Sequence, residues 1–574
     1  MRNFKFPSKA QINSALSSFS KKEKIVFVGF LVILLGSTML ILESINRSFL
    51  AQVPLRGGSV TFGVIGVPRF INPVLANSEA DLDLVSLVYS GLMRKGADGS
   101  LIPDLASEYE ISKDGLVYTF TLKNNLFFQD GKPVTADDVL FTVNEMKDTD
   151  IKSPRKVDWD GVAVEKTGEK TIQFTLKQPY TSFLENTTLG IMPEHLWNNT
   201  PLELNTANTS PIGSGPYMIS KAEKLSSGII GSYRLAPFRK FALGEPYIKN
   251  INLHFYQNES DLVLALENGE VDQIKSISPE SAENLREQNY QIGSAVLPRV
   301  FGLFFNQSQN QLFTDKVVVS AINRAIDKNK IVREVLFGYG TVIDGPIPPN
   351  ITALQEPKTE ENNLSREEIV EKVKSDLAKD GWKAGEDGFL AKTNKKDVRK
   401  LQFSISTGNA PELAKTAELI KDDLAAVGIK VEIKTFETGN LNQNVIRPRK
   451  YDTLLFGEII NHESDLFAFW HSSQRVDPGL NVAMYTNAKV DKILSEAPSV
   501  VDREARKQKY GQFLDEIKKD MPAIFLYSPS LIYSMSKNVN GPLLDNITSP
   551  SDLYLSAYSW YTETENVWKI FAKR

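Results

Sequence analysis

Residues Ile25–Leu42 read IVFVGFLVILLGSTMLIL, eighteen in succession without a charge. No other stretch restricts the chain as much. At about 1.5 Å of rise per residue, a helix of this length covers roughly 27 Å, close to the hydrocarbon thickness of a bilayer. The run is apolar on every face, whereas a helix packed on a globular core keeps one polar side. Ahead of it stand Arg2, Lys5, Lys9, Lys21, Lys22 and Lys24 against Glu23 alone, a net of +5. That bias holds the first 24 residues in the cytoplasm and sends everything after Leu42 outside. A cleaved signal peptide is the competing reading. Against it, the basic flank is long, and Ser48-Phe49-Leu50-Ala51 puts Phe49 where a cleavage site wants a small residue. The expectation is a single-pass protein of the cell membrane, anchored through residues 25–42, with the bulk of the chain extracellular or periplasmic. Residues 43–57, broken by Pro54 and Gly57, read as a linker.

Composition removes several classes of function. Lys+Arg 66 against Asp+Glu 70 leaves a net charge of −4, with no basic footprint for nucleic acid. The absence of cysteine excludes disulfides, thiolate nucleophiles, zinc–cysteine sites and acylated cysteines. There are four histidines. His462 and His471 lie near Glu463 and Asp465, but histidines on a polar loop are more often exposed or capping than ligating, so no metal and no cofactor is assigned. Gly213-Ser214-Gly215-Pro216 lacks the G-x-S-x-G frame of a nucleophile elbow and the lysine of a phosphate loop; it reads as a structural turn. Nothing here composes an enzyme.

The folded part opens with a strand at Ser59–Gly66. Its most patterned stretch is Leu87–Met146. Asp114-Gly115 marks a hairpin before an alternating strand, Val117–Leu122. Thr135, with Asp138 three residues on, caps a helix whose apolar face is Val139, Leu140, Val143 and Met146. Pro103–Ala106 reads as a turn into a short helix. Further on, Leu401–Ser406 reads as a strand, Pro411 as the first turn of a helix, Gly428 as its stop, and Ile429–Lys434 as the next strand. This is a βαβ unit, hence an α/β lobe.

The order of these pieces resembles the peptide- and nickel-binding proteins that serve ABC importers, the oligopeptide/dipeptide-binding type of extracellular solute-binding protein (family 5). The resemblance is carried by LIPDLASEYEISKDGLVYTFTLKNNLFFQDGKPVTADDV (Leu101–Val139), IGSGPY (Ile212–Tyr217), ALENGEVDQI (Ala265–Ile274), AINRAIDKNKIVREVLFGYG (Ala321–Gly340) and MYTNAKVDKIL (Met484–Leu494). It implies an α/β, two-lobed periplasmic-binding-protein-like fold of type II after the transmembrane helix. Lobe 1 is expected over 58–297 plus 522–574, with 83–205 as an extra subdomain, and lobe 2 over 298–521. Pro298–Asn306 and Pro522–Tyr533 would form the hinge; they read equally well as ordinary core strands.

The implied function is capture of peptides between the lobes and their delivery to ABC transporter permease subunits, by a monomer with no covalent chemistry. A tethered receptor of the same fold, or a binder of nickel chelate or haem, is the alternative. The loop Gly457–Gln474 follows the last strand of the βαβ unit, where ligands sit in open α/β sheets. It supplies the candidate ligand contacts Glu458, Glu463, Asp465, Phe469, Trp470 and His471; Phe304 and Asn306 join them from the first hinge segment. An acidic solvated loop at a helix start accounts for the same residues. In peptide-binding members an aspartate in this loop pairs with the peptide ammonium. Alignment places Glu463-Ser464-Asp465 on the family's D-P-D step and Ile460 on the amine-pairing position, which leaves Glu458 as the substitute acid.

Overall fold

The computed structural model describes residues 7–96, 98–180, 182–349, 351, 364–394, 397–541 and 547–572. They form two units: one holds the segment up to Arg56 together with the chain from Tyr561 onward, the other spans Gly57–Trp560.

In the first unit a helix runs from Lys21 to Phe49 with none of its residues buried. Ser20 caps it, accepting the Glu23 backbone N–H, while Glu23 accepts the backbone N–H of Ser20 at 2.7 Å. The stretch read as a linker is not one. The helix continues seven residues past Leu42, supported by a Glu43–Arg47 ion pair of 2.6 Å one turn apart. A strand, Leu50–Leu55, follows and pairs antiparallel with Glu563–Trp568. Pro54 is tolerated because both strands of a two-stranded ribbon are edges.

The second unit is organised on a long sheet path. From one end it runs Lys430–Phe436, Gln402–Gly408, Thr453–Ile459, Arg299–Phe305, Ala523–Ser534, Gln273–Lys275, Gly57–Ile65, Ile248–Tyr256, Ile230–Pro237 and Tyr217–Lys224. The expected βαβ unit is present. Gln402–Gly408 and Lys430–Phe436 are parallel neighbours, joined by the helix Pro411–Ala425. Gly428 follows that helix with φ +84°, a left-handed position that suits a residue without a side chain. The strand Ala523–Ser534 belongs to both halves of the path. Its start pairs with Arg299–Phe305, and its end pairs with Gln273–Lys275.

Around Arg299–Phe305 the strands are buried on both faces. Leu303, Phe305, Leu455, Ile524 and Leu526 enter one core with Ile322 and Ile420. The alternate residues Val300, Phe304, Leu454 and Phe525 enter another with Trp470 and Tyr510. Two buried faces explain why these strands read as unbroken apolar runs in sequence.

The other half has its own core. Val60, Phe62, Leu84 and Tyr217 share it with a separate sheet ordered Ala106–Ile111, Val117–Leu122, Thr171–Leu176, Val162–Lys166. Phe120 and Phe174 meet edge to face at 5.8 Å inside it. The capping box at Thr135 forms as read, over the helix Ala136–Lys147. The short helix expected at Pro103–Ala106 does not; the chain passes from one strand, Leu101–Pro103, to the next, Ala106–Ile111. Gly213 and Gly215 let the chain press on the end of the helix Glu79–Val88. Gly215 donates its N–H to Val88 at 2.8 Å, and a Cβ at Gly213 would lie 2.1 Å from the Val88 carbonyl oxygen. The GSGP segment is therefore a close-packing turn.

Candidate functional site

A cavity of about 480 Å³ opens between the two halves of the Gly57–Trp560 unit. Three residues of the loop after the Thr453–Ile459 strand close one side of it: Asn461, His462 and Asp465. The opposite wall comes from the other half and carries most of the charge. Arg94 and Lys95 follow the helix Glu79–Val88 on a short strand, Met93–Lys95. The Arg94 guanidinium donates to Asp104 at 2.7 Å and to the Leu555 carbonyl at 3.1 Å, and both partners of the ion pair are buried. Lys95 donates to Thr548 at 2.9 Å and lies 3.4 Å from Asp552. Arg155 and Asp158 form a half-exposed pair at 3.4 Å. Both signs of charge thus line the cavity, already oriented by protein partners.

At the cavity, two polar side-chain contacts among the described residues cross between the halves. His462 Nδ1 lies 3.0 Å from Glu185 Oε2, an ion-pair approach without hydrogen-bond alignment. The Ser464 hydroxyl donates to the Tyr180 hydroxyl at 3.4 Å. Burial disfavours the charged imidazole of His462, but the facing Glu185 carboxylate outweighs it, with Asp465 adding and Lys95 opposing. The net direction is upward from 6.5. The pair's contribution to holding the halves together is therefore complete below about pH 6.5 and is lost as the pH climbs through the raised value. We expect the closed population to fall as the pH rises above 6.5, by roughly the 0.2–1 kcal/mol of a part-exposed pair. His462→Gln should flatten that dependence. Small-angle scattering across the pH range reads it, and an unchanged slope in the variant would rule out His462 as its origin.

Of the eight residues singled out from sequence, Asp465 alone lines this cavity. It also accepts the backbone N–H groups of Asn461 and His462, at 2.8 and 3.0 Å. Burial raises its pKa, and His462 and those N–H groups work against the rise. The others are engaged elsewhere. Glu463 pairs with Arg506 at 3.2 Å. Phe469 packs against the core that holds Trp470. Trp470 and Phe304 are wholly buried, with ring centres 6.2 Å apart. His471 stacks on Phe467 and bonds Ser473 at 2.8 Å. Asn306 is also buried: its amide donates to the Arg449 carbonyl, and its oxygen accepts the Gln309 N–H, so it caps a turn.

Glu458 departs furthest from expectation. It stands opposite Val300 in the sheet, 3% exposed, and neither carboxylate oxygen has a hydrogen-bond partner. Burial lifts its pKa well above the carboxylate range, and the side chain does not line the cavity. Among the described residues no His/Cys/Asp/Glu cluster able to hold a metal is found. Sequence reasoning missed Arg94, Lys95, Asp158 and Glu185. The one available signal was Arg94-Lys95 directly after an apolar helix, where two cations need buried or bound partners.

A two-half α/β protein with a charged cavity between the halves has the architecture of a solute-binding protein. Residues 100–476 match the family described as bacterial extracellular solute-binding proteins, family 5 Middle, and the chain belongs to that family. Such proteins bind solutes and are not enzymes. The oligopeptide-binding protein AppA of Bacillus subtilis is 29% identical over 508 residues, covering 86% of this chain and 90% of that protein. The structure of AppA in complex with a nonapeptide aligns with TM-score 0.64 at 27% identity, over 89% of this chain and 100% of that one. NikZ from Campylobacter jejuni, in complex with Ni(L-His), aligns with TM-score 0.67 at 26% identity, over 88% of this chain and 99% of that one.

Proposed function

We propose that this protein is a membrane-anchored extracellular receptor that captures short peptides in the interlobe cavity and hands them to an ABC importer. The observation that carries the reading is the cavity's mixed charge. A peptide is a zwitterion, and a cavity lined by Arg94 and Lys95 on one wall, with Asp158 and Glu185, and by Asp465 on the facing loop has a counter-charge for each of its ends. Its 480 Å³ falls in the range of small-ligand sites, which favours short peptides over long ones. The relatives named for oligopeptides support the ligand class.

In this reading lobe 1 comprises 58–297 and the chain returning after residue 522, and lobe 2 comprises 298–521. The lobes rotate about Arg299–Phe305 and Ala523–Ser534, and the His462–Glu185 and Ser464–Tyr180 contacts latch the closed form. The apolar helix Lys21–Phe49 supports a single-pass anchor. Titrating the purified protein with a mixed tripeptide pool should release heat that saturates at one site per chain. A folded protein that stays silent to the pool, yet carries a co-purified metal chelate in native mass spectrometry, would replace the peptide reading with a chelate-binding one.

A further inference from the structure

The strand Glu563–Trp568 and Lys569 lie beside the end of the helix Lys21–Phe49. The antiparallel register sets Leu50 opposite Trp568, so the returning strand reaches the helix just as it finishes. The Trp568 indole N–H donates to the Asn46 side chain at 3.1 Å. The backbone N–H of Lys569 donates to the Phe49 carbonyl at 2.7 Å, and its ammonium to the Ser48 carbonyl at 2.8 Å. A turn bonded from the Phe571 N–H to the Trp568 carbonyl at 2.8 Å follows. Around this junction four large apolar side chains are exposed: Phe49 at 58%, Trp568 at 53%, Ile570 at 74% and Phe571 at 67%.

Their height along the helix axis gives them a purpose. Asn46, which accepts from the Trp568 indole, lies four residues beyond Leu42, about 6 Å at 1.5 Å per residue. The headgroup layer occupies roughly 5–7 Å on each side of the hydrocarbon core. Tryptophan with its N–H satisfied, phenylalanine, and a lysine whose stem is apolar are the residues that settle at that depth. A two-stranded ribbon is also marginal in water by itself and needs a further surface to lie on.

We propose that Trp568–Phe571 form an interfacial foot that inserts into the outer headgroup region of the lipid bilayer. The proposal rests on the anchor reading of Lys21–Phe49 given above. The chain would then be held to the membrane at both ends, by a spanning helix and by a C-terminal aromatic wedge.

The protein carries its own probe. Of its six tryptophans, Trp159, Trp197, Trp382, Trp470 and Trp560 are wholly buried, and Trp568 is half exposed. In full-length protein reconstituted into phosphatidylcholine vesicles brominated on the upper acyl chain, Trp568 should lose the larger part of its emission. Iodide in the water should leave it largely unquenched, and Trp568→Phe should abolish the bromine effect. A Leu34→Cys spin label, unique in a cysteine-free chain, reports the anchor separately. If the label sits in lipid while Trp568 is quenched by iodide and not by bromine, the foot is overturned and the anchor stands. If the label is exposed to water, both fall.

Discussion

Lys275→Met is expected to destabilise the Gly57–Trp560 unit by about 3–5 kcal/mol, the cost of removing one partner from a buried charge network. Lys275 is 4% exposed, and its ammonium contacts Glu79 and, at 3.1 Å, Asp83. Ser551 donates to Asp83 at 2.6 Å and Ser276 to Glu79 at 2.7 Å, so three separated parts of the chain meet on one cation. At about 2.1 cal/mol/K of unfolding entropy per residue, that loss lowers the Tm of a unit this size by roughly 3–5 °C. The pH dependence identifies the cause. Burial pushes Asp83 up to about 6 even with Lys275 pulling it down, and without the lysine it goes higher. An acid whose folded pKa is raised binds more protons folded than unfolded, so stability rises as pH falls through that value. The variant should therefore gain stability on going from pH 7.5 to pH 5, where acid ordinarily weakens a protein. Adding Asp83→Asn should recover part of the loss at neutral pH. Calorimetry of the three proteins at both pH values decides it, and a pH-independent loss would show that lost packing, and not the stranded charge, is responsible.

Ser86→Trp should weaken ligand capture about a hundredfold while leaving the fold intact. Ser86 lies on the helix Glu79–Val88, half-buried, on the cavity wall beside Leu82, Val85 and Tyr89. Its hydroxyl bonds only within the helix, to the Asp83 carbonyl at 2.8 Å. An indole at this position takes up a large share of a 480 Å³ space. A fall in tripeptide affinity of about a hundredfold, roughly 2.8 kcal/mol, is expected. Ser86→Ala, which adds no volume, should bind as the natural protein does. Wild-type affinity in the tryptophan variant, with an unchanged Tm, would place the ligand outside this cavity.

Local signals carried the fold well. The Thr135–Asp138 box, the Asp114-Gly115 hairpin and the Pro411–Gly428 helix bounds all depend on neighbours within a few residues, and all form. Signals that depend on distant partners did not carry. Residues 43–57 read as a linker because the strand that pairs with Leu50–Leu55 lies more than 500 residues away. Glu458 read as a cleft acid because polar residues normally face water. In the structure it alternates with Ile459, which is 51% exposed, so the strand turns its acid inward and its isoleucine out. Phe304 and Trp470 were legible as aromatics but not as core, since the second buried face of their sheet is built from helices far along the chain. The opposite wall of the cavity, with Arg94 and Glu185, was invisible for the same reason.

The strand Ala523–Ser534 also sets a clock. Lys275 occupies what is otherwise an open sheet edge until its partner Tyr533 exists. Ribosomes add about 5–20 residues per second, so roughly 13–50 s separate the two during synthesis. Through that interval the first sheet presents unpaired backbone groups, the template on which chains aggregate. A nascent chain cut short before Pro522 carries most of the apolar residues of both halves but lacks the strand that joins the two halves of the sheet path.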